Sequence, residues 1–364
     1  MELSQLQELV QAVFMGAQPH SDYHNPLVFA EGTSSLRTSF KTQVEGLPLP
    51  LQKRIEDEVF YWGPLQKFRD QSNIYELIVN GPDDLYCESH EGLKKIEDRF
   101  IHSISFQNFV ERLCQQANII VSQKSPFANG SLGNYRVHVA IPPASSQINI
   151  TLRRHRPSHH SLKELWNQGF INEKQWELLK MILRERSNFL VMGPTGSGKT
   201  SLIRSLLKEL SDSERMVVIE DTKEIEAPNP LSCHLLSREL CPDTLDKIFL
   251  EDLVKQSLRM RPDRLIVGEV RGREAKDLLM ALATGHSGSM GTLHARTASQ
   301  GLYRLEMLIQ MGAPQWNLHA IRQLINMSLD YLVVLSENRM AKQVEGIYRI
   351  TSHEKFGLLL EKSA

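Results

Sequence analysis

Eight consecutive residues, Gly193-Pro194-Thr195-Gly196-Ser197-Gly198-Lys199-Thr200, constrain this chain more than any other stretch. They satisfy G-x-x-x-x-G-K-[ST], a loop whose glycines let successive backbone N–H groups converge on one anion. Lys199 supplies a positive charge for β and γ phosphates, and the Thr200 hydroxyl is a ligand for Mg²⁺. The flanks agree with this reading. Asn188 to Met192 is an apolar run that predicts a buried strand, and Leu202, Ile203, Leu206, Leu207 and Leu210 recur at helical spacing on one face. Strand, glycine loop and helix in that order aim a helix N-terminus at phosphate. ATP and Mg²⁺ are the expected ligands, with nucleotide contacts from Gly193, Pro194, Thr195, Gly196, Ser197, Gly198, Lys199, Thr200 and Ser201. A chance glycine-rich turn does not come with all the key positions filled between such flanks.

Acids follow at predicted strand ends. Met216 to Ile219 is apolar and runs into Glu220 and Asp221, with Glu224 close behind. Carboxylates at the phosphate-loop edge of a parallel sheet stand where Mg²⁺ and water sit. Glu220 and Asp221 are therefore expected to join Thr200 at the metal, directly or through water, and Glu224 to act beside them. The plain alternative is a solvated strand end, which a third acid makes less economical. Leu265 to Val267 predicts another buried strand and continues into Gly268-Glu269-Val270-Arg271. This resembles a Walker B strand, except that Gly268 stands where aspartate is common. Glu269 is expected beside the γ-phosphate, where a carboxylate positions attacking water. Further on, His286 and His294 bracket a short strand. A lone histidine is usually structural. His294, at a strand end, is placed to sense the γ-phosphate by hydrogen bond, and the pair lacks a third ligand at metal-binding spacing.

The 364 residues are enough for two domains, with 41% hydrophobic and 23% charged residues, as in a soluble globular protein. Lys plus Arg total 42 against 43 Asp plus Glu, which argues against a dedicated nucleic-acid binder. No apolar run approaches the ~18 residues of a membrane span, and the Met1-Glu2-Leu3-Ser4-Gln5 start lacks the pattern of a signal peptide. The 4 cysteines are scattered, so a disulfide framework or zinc module is not expected and a reducing cytoplasmic setting fits.

Four segments are predicted: an arm over 1–45, a smaller α+β domain over 46–156, a linker over 157–161 and an α/β phosphate-loop domain over 162–364. In the arm, Leu3 to Phe14 predicts one amphipathic helix and Gly16 to Thr42 a loop without period. In the smaller domain, Leu51 to Phe60 and Phe106 to Gln116 predict helices. Ile74 to Val79 and Asp84 to Glu88 flank Asn80-Gly81-Pro82-Asp83 as a hairpin, and Tyr135 to Ile141 and Ile148 to Arg153 alternate as strands. The last strand ends in Arg153-Arg154-His155-Arg156. Phosphoryl transfer gathers charge that Lys199 and Mg²⁺ alone do not meet, so arginines from elsewhere are candidates to complete the site: Arg136, Arg153 and Arg154 in the smaller domain, and Arg271 and Arg273 after the Walker B strand. Their plain reading is surface charge or local ion pairs.

Taken in order, these motifs resemble the ATPases of type II and type IV secretion and pilus assembly, nearest to the tight-adherence pilus and conjugation-type branch. The resemblance rests on the phosphate loop, the acidic box Ile219-Glu220-Asp221-Thr222-Lys223-Glu224, Val267 to Arg271 with Glu274, and the histidine box Gly291-Thr292-Leu293-His294-Ala295. Arg259 to Asp263, Gly285-His286, Val79 to Pro82 and Leu152 to Arg154 also fit. It spans about residues 70–350. Ser131 and Gly133-Asn134-Tyr135-Arg136 depart from the branch's pattern, and no tetracysteine element of the type II export branch is present. The resemblance implies a PAS-like front domain, a RecA-like motor domain, a homohexamer, and peripheral docking on an inner-membrane platform protein at the cytoplasmic face. It implies ATP hydrolysis with Lys199, Glu220, Glu224, Glu269 and His294 in the machinery. A RecA-like nucleic-acid pump and a nucleotide-sensing scaffold with little turnover are the competing readings. The first lacks basic-plus-aromatic tracts, and the second sits poorly with intact Lys199, Thr200, Glu220 and Glu269.

Overall fold

The computed structural model describes residues 3–16, 26–154, 161–238, 246–336, 342–353 and 357–364. They form two compact units, one holding residues 3–154 and the other those from 161 onward.

The first unit contains helices α1 (Leu3–Gly16), α2 (Pro26–Val44), α3 (Leu49–Phe60), α4 (Gln66–Arg69) and α5 (Ser103–Gln116). Its strands are β1 (Ile74–Asn80), β2 (Leu85–Ser89), β3 (Gly92–Lys95), β4 (Phe127–Leu132), β5 (Tyr135–Ala140) and β6 (Asn149–Arg154), in the order β3-β2-β1-β6-β5-β4. All neighbouring pairs are antiparallel. Alternation assigns the faces. Leu77, Val79, Val137, Val139, Ile150 and Leu152 point into a core shared with Phe106, Phe109 and Leu113 of α5. The other face carries Glu76, Arg153 and Arg136 in one row across β1, β6 and β5.

Composition predicted an aperiodic loop over Gly16 to Thr42, but α2 occupies Pro26–Val44. The reason is a four-residue repeat of Leu36, Phe40 and Val44, which packs with Val10 and Val13 of α1 and with Ile55 and Val59 of α3. Residues 17–25 of that predicted loop lie outside the described residues, as do 157–160 of the expected linker. Strands β3 and β4 were also not anticipated. β3 has only four residues, and each is half or more exposed, so neither shows a clean apolar pattern.

The second unit contains α6 (Leu162–Asn167), α7 (Glu173–Arg184), α8 (Lys199–Leu207), α9 (Leu250–Ser257), α10 (Glu274–Ala283), α11 (Ala298–Gly312) and α12 (Leu318–Ser328). Its strands are β7 (Phe189–Met192), β8 (Met216–Glu220), β9 (Cys233–Leu236), β10 (Arg264–Val267), β11 (Met290–Leu293), β12 (Tyr331–Leu335), β13 (Val344–His353) and β14 (Gly357–Lys362), in the order β14-β13-β12-β7-β11-β10-β8-β9. From β12 to β9 every neighbouring pair is parallel, and β13 and β14 extend the sheet antiparallel.

Strands buried on both faces read as near-continuous apolar runs: β7 and β12 are apolar throughout, and β8 and β10 are apolar but for Glu220 and Arg264 at one end. Phe189, Val191, Met216 and Val218 face α7 and α8, meeting Leu179, Ile182, Leu202 and Ile203. Leu190, Met192, Val217 and Ile219 face α9 to α12, meeting Val254, Leu278, Leu305 and Ile321. Helices α6 and α7 begin in capping boxes, Ser161 with Glu164 and Asn172 with Gln175. No helix among the described residues is long and apolar enough to cross a membrane.

Candidate active site

The strand order brings four chain segments to one edge of the sheet. Strand β11 lies between β7 and β10, and β8 lies beyond β10. Leu293 pairs with Met192, Gly291 with Val267, and Val267 with Ile219. The residues at and just beyond their C-terminal ends therefore gather together: Gly193, His294, Gly268-Glu269 and, as the last residue of β8, Glu220. This is the edge where open α/β sheets bind ligands.

The phosphate loop leaves β7 and enters α8 at Gly198, whose φ of 102° is left-handed. Glycine suits that angle, and a Cβ there would also stand only 3.1 Å from the Phe170 ring. Thr195 and Gly196 are exposed at the loop tip, while Gly193, Ser197 and Lys199 are buried. Ser197 Oγ is buried with no hydrogen-bond partner. Thr200 and Ser201 open the first turn of α8, where N–H groups without intrahelical partners and the helix dipole favour an anion.

Lys199 Nζ donates to the carbonyls of Gly193 and Pro194, each at 2.9 Å, and lies 3.4 Å from His294 Nδ1. Burial pushes its pKa down to about 8, against the pull of Glu269 and Glu224. Burial and the Lys199 charge also hold His294 below the ordinary histidine range, with Glu269 opposing. A neutral ring that faces an ammonium through Nδ1 carries its proton on Nε2. That nitrogen is 3.6 Å from Glu269 Oε1. Lysine, histidine and glutamate thus form one line across three adjacent strand ends.

The acidic box divides its labour. Glu220 is 3% exposed. Its carboxylate accepts from the backbone N–H groups of Glu224 and Ile225 and from His234 Nε2 at 2.7 Å. Burial pushes its pKa up, and these donors pull against it. Asp221, expected at the metal, is placed 3.0 Å from Arg271. Glu224 is the acid beside Thr200, with Oε2 3.3 Å from the Thr200 hydroxyl.

Gly268 now has a physical explanation. A Cβ at that position would lie 2.6 Å from Glu220 Cγ, so the Glu220 side chain fills the space an aspartate would need. After it, Glu274 accepts from the N–H groups of Arg271 and Gly272 at 2.6 and 2.7 Å and fixes the turn into α10. His286 and His294 sit at opposite ends of β11, and His286 Nδ1 is 3.0 Å from the Ala281 carbonyl.

Two site residues were outside the sequence reading. His234 lies on β9, an unpredicted strand of four residues, and Phe170 packs on the phosphate loop. Neither belongs to a spaced motif, so only three-dimensional proximity reveals them.

The front-unit arginines occupy different faces. Arg153 is exposed and stands in register with Glu76 and Arg136. Arg154 lies on the core side, where it donates to the Arg69 carbonyl and the Tyr135 hydroxyl and covers the Tyr135 ring at 5.0 Å.

The donor set fits a nucleotide polyphosphate: loop N–H groups, a buried hydroxyl and an ammonium. Among the described residues no group of three or more His, Cys, Asp or Glu side chains is arranged to hold a metal ion. A divalent cation fits here with Thr200 and phosphate oxygens as ligands, the usual mode for Mg²⁺.

A fold of this kind, with a phosphate loop and acids at adjacent strand ends, defines a P-loop nucleotide-binding protein. The chain belongs to the Type II/IV secretion system protein family, whose profile matches residues 62–336. A Mycobacterium tuberculosis protein named for conjugal transfer is 33% identical over 266 residues, covering 71% of this chain and 76% of that one. The type IV secretion system protein VirB11 of Bartonella quintana is 27% identical over 327 residues, covering 79% and 90%. In fold, the chain is similar to the Legionella pneumophila ATPase DotB, at 16% identity, a TM-score of 0.57 and 80% of each chain. It is also similar to the pilus retraction motor PilT solved with ADP, at 20% identity and a TM-score of 0.55 over 81% of this chain and 80% of that one.

Proposed function

We propose that this chain is an Mg²⁺-dependent ATPase that powers pilus assembly or secretion, as a homohexamer docked on a platform protein at the cytoplasmic face of the inner membrane. In this reading the second unit is a RecA-like motor and the first a PAS-like partner domain. The observation that carries it is the Lys199–His294–Glu269 line with Glu224 on Thr200. Loop N–H groups and Lys199 hold the β and γ phosphates. Glu269 orients and polarises the attacking water. Neutral His294 connects that carboxylate to Lys199, so the phosphate contact and the water contact are coupled. Thr200, with Glu224 beside it, would hold Mg²⁺, which would supply positive charge against the phosphates. Glu220 supports Glu224 from behind, and Asp221 is engaged with Arg271. Arg153 is the front-unit arginine assigned to the transition-state charge, because Arg154 is occupied within its own core.

The test is Mg²⁺-dependent ATP hydrolysis by the purified chain. Lys199→Ala is expected to abolish turnover, and Glu269→Gln to keep ATP binding and lose hydrolysis. Wild-type turnover by Glu269→Gln removes Glu269 from its role. Turnover is expected to be indifferent to DNA; strong stimulation by DNA with a steep salt dependence favours a nucleic-acid pump instead.

A further inference from the structure

The carboxylate of Glu220 is the hinge of the acidic box, and its orientation has an identifiable source. On one side, Glu220 is bounded by Gly268, where a Cβ would come within 2.6 Å of its Cγ. On the other, His234 Nε2 lies 2.7 Å from Oε2. His234 comes from β9, which pairs parallel with β8 and sets His234 opposite Val218. Its side chain is 13% exposed, so this hydrogen bond is largely shielded from water. Held this way, Glu220 uses its oxygens to bind the Glu224 N–H at 3.1 Å and the Ile225 N–H at 3.1 and 3.2 Å. Those bonds fold the chain back after β8, and Glu224 then reaches Thr200 Oγ1 at 3.3 Å.

We infer that His234 is a positioning residue for the metal edge of the nucleotide site. By donating Nε2–H to Glu220, it fixes the carboxylate that pins the Glu224–Ile225 turn and thereby sets Glu224 on Thr200. The chemistry needs a donor at this point. His234 and the Glu224 and Ile225 N–H groups converge on Oε2. Without the histidine that oxygen is held by the turn alone, so the carboxylate can rotate and the turn it supports moves with it. Partners of this kind, one step behind the liganding groups, commonly govern metal affinity. The inference rests on the assignment of Thr200 and Glu224 to the Mg²⁺ edge. A purely structural role for the pair predicts a loss of folding stability with no preference for the metal.

The experiment compares His234→Leu, which keeps bulk and removes the donor, with His234→Gln, which restores an N–H. Affinity for a fluorescent ATP analogue is measured in Mg²⁺ and in EDTA, and amide hydrogen exchange is followed over residues 221–226. The expected result for His234→Leu is a loss of about tenfold in the Mg²⁺-dependent gain in affinity. Affinity in EDTA stays unchanged, and exchange at Glu224 and Ile225 becomes faster. His234→Gln recovers both readouts. Should His234→Leu not fold, His234→Asn, whose shorter amide falls short of Glu220, is read by the same criteria. A wild-type Mg²⁺ response in the donorless variant, or an equal loss with and without Mg²⁺, overturns the role of His234. If wild-type protein itself gains no affinity from Mg²⁺, the assignment of the metal edge falls, and the role of His234 falls with it.

Discussion

The ammonium group of Lys199 lies 3.4 Å from Nδ1 of His294, at the end of the neighbouring strand. A phosphate that draws Lys199 toward itself must disturb this contact, and the far side of the same ring faces Glu269. In the proposed mechanism, nucleotide occupancy and the state of Glu269 are therefore tied through one side chain.

His294→Ala is expected to lower kcat by roughly tenfold, the scale of one hydrogen bond to a charged group. Nucleotide affinity should stay near the wild-type value, since the loop N–H groups and Lys199 remain. Parallel steady-state kinetics and equilibrium binding make the comparison. An equal fall in both would show His294 to be a binding residue, and stoichiometric zinc lost in the variant would show it to be a metal ligand.

Lys199 gives a pH dependence with opposite signs for binding and for folding. Its pKa near 8 means that the ammonium loses its proton as pH rises through 8. Bound phosphate favours the charged form, so above pH 8 binding must take up a proton. The affinity should then weaken by up to about tenfold per pH unit. For the unliganded fold the sign reverses. The unfolded chain holds this proton up to the ordinary lysine value of 10.5, so stability rises with pH between 8 and 10.5. Calorimetric titrations in buffers of different ionisation enthalpy read the proton uptake directly. A Kd that is flat from about pH 7 to 9.5 rejects the shift.

Gly268→Ala is expected to fail, although its backbone angle is not unusual. The new methyl would meet Glu220 Cγ at 2.6 Å. Overpacking of this kind costs about 1–3 kcal/mol. Displacing Glu220 should also release the Glu224 turn, so lower thermal stability should come with a poorer response to Mg²⁺. Unchanged behaviour in both would mean that Glu220 has room the structure does not show.

The two neighbouring arginines should separate cleanly. Arg154→Ala removes bonds to the Arg69 carbonyl and the Tyr135 hydroxyl and is expected to lower the melting temperature of the front unit. Arg153→Ala is expected to leave stability intact and to stop turnover. Mixing Arg153→Ala with Lys199→Ala then decides where the arginine acts. Recovery of activity in mixed assemblies places it on a neighbouring subunit, and continued inactivity places it on its own. Full activity of Arg153→Ala alone removes it from the mechanism.

The phosphate loop and the strand-end acids were legible because each depends on a local order of residues. Apolar runs marked the strands, and glycine spacing marked the turn. The division of work among Glu220, Asp221 and Glu224 was not legible, because the chain reverses after β8 and that reversal decides which carboxylate reaches Thr200. His234 was invisible for a related reason. Its partner is 14 residues earlier, and β9 is a four-residue edge strand with half-exposed side chains, too short to show a period. Helix α2 was missed because polar residues outnumber the every-fourth apolar positions that bury it.

The interleaving of β11 between β7 and β10 makes the molecule unequal in its tolerance of changes in chain length. Side chains alternate along a strand, so one residue inserted within Met290–Leu293 would turn His294 to the opposite face and separate Lys199 from Glu269. At the other end of the sheet, the exposed turn Ser211 to Ser213, between α8 and β8, carries none of the site residues. A peptide tag or a reporter domain belongs there. A single extra residue in β11 should cost more activity than a whole inserted domain at that turn.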